Sequence, residues 1–84
     1  PLDRNVLMEM AAMLQASGRA REALAYLRQR EKVAPGDHQT LVEQGRCLSD
    51  LGRYDEAQAV LREAVRVRDA AAEYNLGVVL DRLG

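Results

Sequence analysis

Cys47 and His38 are the one thiol and the one imidazole in this chain, the two residue types that nucleophilic catalysis would need. A catalytic cysteine requires a base within hydrogen-bond reach and usually an electropositive setting. Nine positions separate the two, about 13 Å along a continuous helix at 1.5 Å per residue, which is too far for a dyad. Cys47 therefore reads as a small packed side chain. His38 follows Asp37, a candidate helix cap, and reads as a solvated first-turn residue. A single cysteine excludes an intrachain disulfide and a cysteine-based zinc site. The lone thiol fits a reducing compartment, and the expected location is cytoplasmic. No nucleophile–base pair, metal-ligand set or phosphate loop is visible, so the expectation is a protein that is not an enzyme, with no catalytic residue, no metal and no cofactor.

Charge excludes further classes. Twelve cations stand against thirteen acids, a net charge of −1, and a nucleic-acid stripe would need excess cations with aromatics between them. Asp55, Glu56 and Glu63 alternate with Arg62, Arg66 and Arg68. Such a run forms a solvated helix face with ion pairs worth a few tenths of a kcal/mol. No apolar run approaches the roughly 20 residues of a membrane span, and no signal peptide is visible. Neither nucleic acid nor membrane is an expected partner. Eleven of the twelve cations are Arg, which with the many Ala hints at a GC-rich, bacterial genome.

The elements that would position any site come from a repeat. The twelve residues from Gly18 to Gln29 match those from Gly52 to Glu63 at seven positions, with an offset of 34. Upstream of each block lies a helical pattern, Leu7, Met10, Ala11 and Leu14 in one and Leu41, Gln44, Gly45 and Leu48 in the other. Spacings of three and four place each set on one helix face. Glu73 to Gly84 restarts the pattern with Leu76, Gly77, Leu80 and Leu83. Thirteen Ala and twelve Leu, with no Phe or Trp, favour helix over sheet.

A 34-residue helix–turn–helix period resembles the tetratricopeptide repeat, whose signature holds Leu-Gly-x-x-Tyr, then Ala-x-x-x-Phe, then Pro. Here the first element reads Met10-Ala11-x-x-Leu14, Gln44-Gly45-x-x-Leu48 and Leu76-Gly77-x-x-Leu80. The second reads Ala23-x-x-x-Leu27 and Ala57-x-x-x-Leu61, and the Pro is Pro35. The resemblance spans the chain and implies an all-α fold of antiparallel helix pairs stacked as a right-handed solenoid, about two and a half repeats.

Five helices are expected, over 4–17, 20–34, 38–51, 54–68 and 70–83. They form a single domain, 1–84, with repeat one at 4–37, repeat two at 38–69 and the first helix of a third at 70–84. Gly18 and Gly52 should end first helices in the left-handed conformation. Asp3, Asp37 and Asp69 should cap the next ones, and Pro35 stops the helix before it. Small residues at Ala11, Gly45 and Gly77 should let helices approach, opposite Ala23 and Ala57. Arg68-Asp69-Ala70 lacks the Pro-containing turn of Ala34-Pro35-Gly36-Asp37, so a tighter connection is expected there. Pro1 and Gly84 both fall at repeat boundaries, and both ends read as cut from a longer array. Arg30 and Glu31 stand where small and apolar residues are expected, and Ala20 stands where the second unit has Tyr54. The first unit should then be the less well packed, with the Arg30 charge sent to solvent.

The family resemblance implies a protein or peptide ligand along the first helices. By spacing, that groove is Asn5, Met8, Ala12 and Gln15, then Gln39, Val42, Arg46 and Ser49, then Tyr74, Val78 and Asp81. Each could also be an ordinary solvated residue. A family subtype grips a C-terminal carboxylate with Lys, Asn and Arg, but Met8, Ala12, Glu43 and Ala71 occupy the clamp positions, and Asn75 is a partial match at best. That function is rejected. Met8, Met10 and Met13 read either as an adaptable surface or as gap fillers. The alternative to a binding module is a structural, self-associating repeat that oligomerises or spaces other domains. Its expected face is Leu76, Gly77, Leu80 and Leu83, pairing two copies as a homodimer through the last helix; the competing outcome is a monomer whose last helix frays.

Overall fold

The computed structural model describes residues 3–83, with side chains for residues 3–70. Four helices follow one another: α1 (Arg4–Ala16), α2 (Ala20–Val33), α3 (His38–Asp50) and α4 (Tyr54–Leu83). Among the described residues there is no strand.

The turns are written in local chemistry. At the end of α1, Gly18 takes φ +76°, its N–H donates to the Gln15 carbonyl at 3.0 Å, and Arg19 N–H donates to the Leu14 carbonyl at 2.8 Å. Gly52 repeats this with φ +77°, bonding Ser49, while Arg53 N–H bonds Leu48. These paired bonds satisfy carbonyls that a helix end would otherwise strand. Asp3 Oδ1 accepts from Asn5 N–H at 2.9 Å, and Asp37 Oδ2 accepts from Thr40 N–H at 3.0 Å. Both aspartates are the N-caps their positions predict. α2 starts without a side-chain cap on its first amides; at the starts of α2 and α4 Arg19 pairs with Glu22 and Arg53 with Glu56, again 34 residues apart.

Each helix packs on the next, α1 on α2, α2 on α3 and α3 on α4. Ala11, Ala20, Ala23, Leu24, Leu27, Cys47, Leu48 and Ala57 form the buried core, with Met8, Leu14, Tyr26, Leu51 and Val60 against it. Each Leu fully buried there contributes roughly 1.5–3 kcal/mol. Small residues set the helix spacing as expected. A Cβ on Gly45 would lie 2.6 Å from Leu61 Cγ, so α3 and α4 approach at that point closer than any side chain on Gly45 would permit without movement of Leu61.

Three expectations are corrected. First, the anticipated fourth and fifth helices are one: α4 runs unbroken through Arg68, Asp69 and Ala70. That stretch holds neither Gly nor Pro, runs into Ala70-Ala71-Ala72, and is two residues shorter than the turn around Pro35. Strong helix formers with no breaker continue the helix, so Asp69 lies inside it rather than capping a new one. Second, Arg30 does not reach solvent; it is 8% exposed. Third, the first unit is the better covered. Ala20 is 7% exposed and Tyr54 is 68% exposed, because α3 lies against α2.

Candidate binding face

Of the eight described positions of the expected groove, Asn5, Ala12, Gln39, Arg46 and Ser49 are exposed, and Met8, Gln15 and Val42 are half-buried. Met8 packs against the core rather than standing free. One side of the same two helices turns inward, with Leu7 and Ala11 on α1 and Leu41, Gln44, Cys47 and Leu48 on α3 all buried, while Val6, Glu9 and Met13 are exposed beside the groove positions. Tyr74, Val78 and Asp81, and the expected self-association residues Leu76, Gly77, Leu80 and Leu83, have side chains outside the described residues. Arg46 sits 3.5 Å from Glu43 on its own helix with its side chain 65% exposed, so most of its charge faces water.

The thiol and the imidazole, already too far apart for a dyad, are both held by packing. Cys47 is fully buried. Burial pushes its thiol up to about 11, with the Asp50 and Glu43 charges adding to the shift, which is the opposite of an activated nucleophile. α3 is continuous from His38 to Asp50, so the axial separation of Cys47 and His38 stands. His38 is not the solvated first-turn residue its position suggests: its Nδ1 donates to the Ala64 carbonyl of α4 at 2.9 Å and ties the start of α3 to that helix. No sequence spacing signals a bond across 26 positions.

Arg30 is the other residue that sequence reasoning misplaced. Its Nε donates to the Arg4 carbonyl at 3.0 Å, and its Nη1 donates to Asp37 Oδ2 at 2.5 Å and to the Thr40 hydroxyl. The Thr40 hydroxyl in turn donates to Asp37 at 2.8 Å. One guanidinium thereby joins α1, α2 and the α3 cap through three hydrogen bonds from Nε and Nη1, the kind of pairing that a buried charge requires. Burial pushes the Asp37 carboxyl up, but the bonds from Arg30 and Thr40 and the guanidinium charge outweigh it, and the pKa lies below the ordinary carboxylate value.

The surface of α4 is different in kind. Leu61 and Val65 are 39% and 44% exposed. With Ser49, Tyr54, Gln58 and Arg62 they border an open depression of about 590 Å³. Along the polar side of α4, Arg66 pairs with Glu63 at 3.0 Å, the solvated ion pairing expected of that charge run.

Among the described residues, no three His, Cys, Asp or Glu side chains could together hold a metal ion. None of the described helices is long and apolar enough to cross a membrane. A family model described as tetratricopeptide repeat matches residues 14–77. A search of the curated proteins finds no match.

Proposed function

The chain belongs to the tetratricopeptide repeat family, whose repeats generally mediate protein–protein interaction and are generally non-catalytic, and from that premise we propose that it binds a protein or peptide segment along its first helices. The supporting observation is the sidedness of α1 and α3. Their inward positions are buried in the core, while Asn5, Ala12, Gln39, Arg46 and Ser49 present a mildly polar surface to solvent. Tyr74, Val78 and Asp81, expected on the same surface, lie on the continuation of α4, so within one chain the reading rests on α1 and α3. Arg46 is the cation on that face, and an acidic side chain or a terminal carboxylate of the ligand is what it would meet.

Fluorescence anisotropy of labelled peptides, varied in acidic and C-terminal groups, tests this reading on the 84-residue chain. Arg46→Glu weakens a saturable peptide at least tenfold, about 1.4 kcal/mol. The melting temperature stays put, since an exposed pair at 3.5 Å contributes little to stability. An unchanged affinity would move the site off these helices. The second reading is self-association, and the uncovered apolar residues of α4 favour it.

A further inference from the structure

The surface of α4 repeats that of α2 at an offset of 34, yet only α2 is covered. Leu27 is 0% exposed and its counterpart Leu61 is 39% exposed. Leu24 is buried where Gln58 is exposed. The cover on α2 is α3, whose Gln44 side chain donates to the Leu27 carbonyl at 3.4 Å. The equivalent place on α4 is the depression beside Tyr54, Leu61 and Val65.

Residues 70–83 carry the sequence pattern of that cover. Leu76-Gly77-x-x-Leu80 repeats Gln44-Gly45-x-x-Leu48, and the backbone of residues 70–83 is helical. They cannot reach the depression of their own chain, because they continue the helix that forms it. A helix of 30 residues is about 45 Å long at 1.5 Å per residue and does not fold onto itself without a break. No breaker stands at Arg68-Asp69-Ala70.

We propose that the depression on α4 receives residues 70–83 of a second copy of this chain, and that the exchange is reciprocal. Two long helices then cross between two three-helix bodies, and each body gains the cover that α3 supplies to α2. The operation is a two-fold, so the assembly closes at two chains and buries both apolar faces at once. This deepens the self-association reading and leaves the α1 and α3 surface free except at Ser49, which borders the depression. A monomer that still binds peptide through Arg46 would end this proposal and spare the groove.

Sedimentation equilibrium on the 84-residue chain is the first test. The expected mass is twice the 9.3 kDa of one chain, and 9.3 kDa across a wide concentration range would overturn the proposal. The second test pairs Leu61→Cys with Leu76→Cys in one chain and reads oxidation on a non-reducing gel; buried Cys47 stays in place. The expected product is a disulfide between chains. A link within one chain, meaning that residues 70–83 turn back on their own α4, overturns the exchange, and so does the absence of any link in a chain whose circular dichroism is native. Leu76→Cys alone is expected to remain unlinked; a dimer linked by that single cysteine would mean that like faces pair instead. Leu61→Glu, at a part-exposed position, weakens dimerisation at least tenfold with helicity retained, and an undiminished dimer would move the joint elsewhere.

Discussion

Arg30, in the last turn of α2, donates to Asp37, the N-cap of α3, at 2.5 Å, so the end of one helix is bound to the residue that caps the next. The pair joins the ends of two helices across a turn holding Pro35 and Gly36. The Arg30 side chain is 10% exposed and that of Asp37 is 37% exposed, which places the charge of the cation inside and leaves the anion partly in water.

Removing the cation is therefore expected to be costly. Arg30→Ala removes the charge partner of Asp37, which keeps only its Thr40 bonds, takes a bond from the Arg4 carbonyl and opens a cavity. The expected loss is about 2–3 kcal/mol, below the full range for a buried pair because Asp37 is partly solvated. Arg30→Met keeps the volume and should lose less. Urea denaturation followed by circular dichroism reads both, and an Arg30→Ala midpoint equal to that of the parent would show that the guanidinium contributes nothing.

The depressed pKa of Asp37 fixes the sign of an acid effect. Its ionised form is favoured in the folded state, so its contribution is complete above the unfolded value of about 3.9. That contribution is lost as pH falls through the lower folded value. Stability should fall below about pH 4, and less steeply in Asp37→Asn. Glu56 and Glu63, held down mainly by bonds from Arg53 and Arg66, act in the same direction in both proteins. The difference between the two pH profiles isolates Asp37; identical profiles would refute its part.

Gly45 and Leu61 should be energetically coupled. Gly45→Ala gains about 1 kcal/mol of helix propensity but drives a methyl into Leu61. In a Leu61→Ala background the obstruction is gone and the propensity gain remains. A double-mutant cycle should give a coupling of roughly 1–2 kcal/mol, and strict additivity would show that the close approach costs nothing to relieve.

Cys47 should be inert while the chain is folded. With a thiol raised to about 11 and no exposed surface, its labelling by a disulfide reagent at pH 8 should follow the rate of opening, at least a hundredfold slower than in urea. Stoichiometric labelling within the mixing time would contradict the burial of α3 against its neighbours.

What the sequence determined is the part of the fold that acts over a few residues. Gly18 and Gly52 mark turns because a left-handed backbone favours Gly, Asp3 and Asp37 mark helix starts because a short carboxylate reaches free amides, and apolar spacing marks the faces. From these follow three of the turns, the close approach at Gly45 and the packed state of Cys47. The family was legible for the same reason, since a repeated pattern at a fixed period is itself a sequence property. The tertiary structure decided everything that depends on what stands opposite. Arg30 is buried only because a carbonyl from α1 and the Asp37–Thr40 pair from α3 converge on it, and His38 is anchored only because Ala64 comes within reach. Leu27 and Leu61 are the same residue in the same local pattern, one sealed and the other open, because burial belongs to the neighbour and not to the residue. The unbroken α4 has the same origin: with no Gly or Pro at 68–70, a helix turns back only if packing offers more than continuing does.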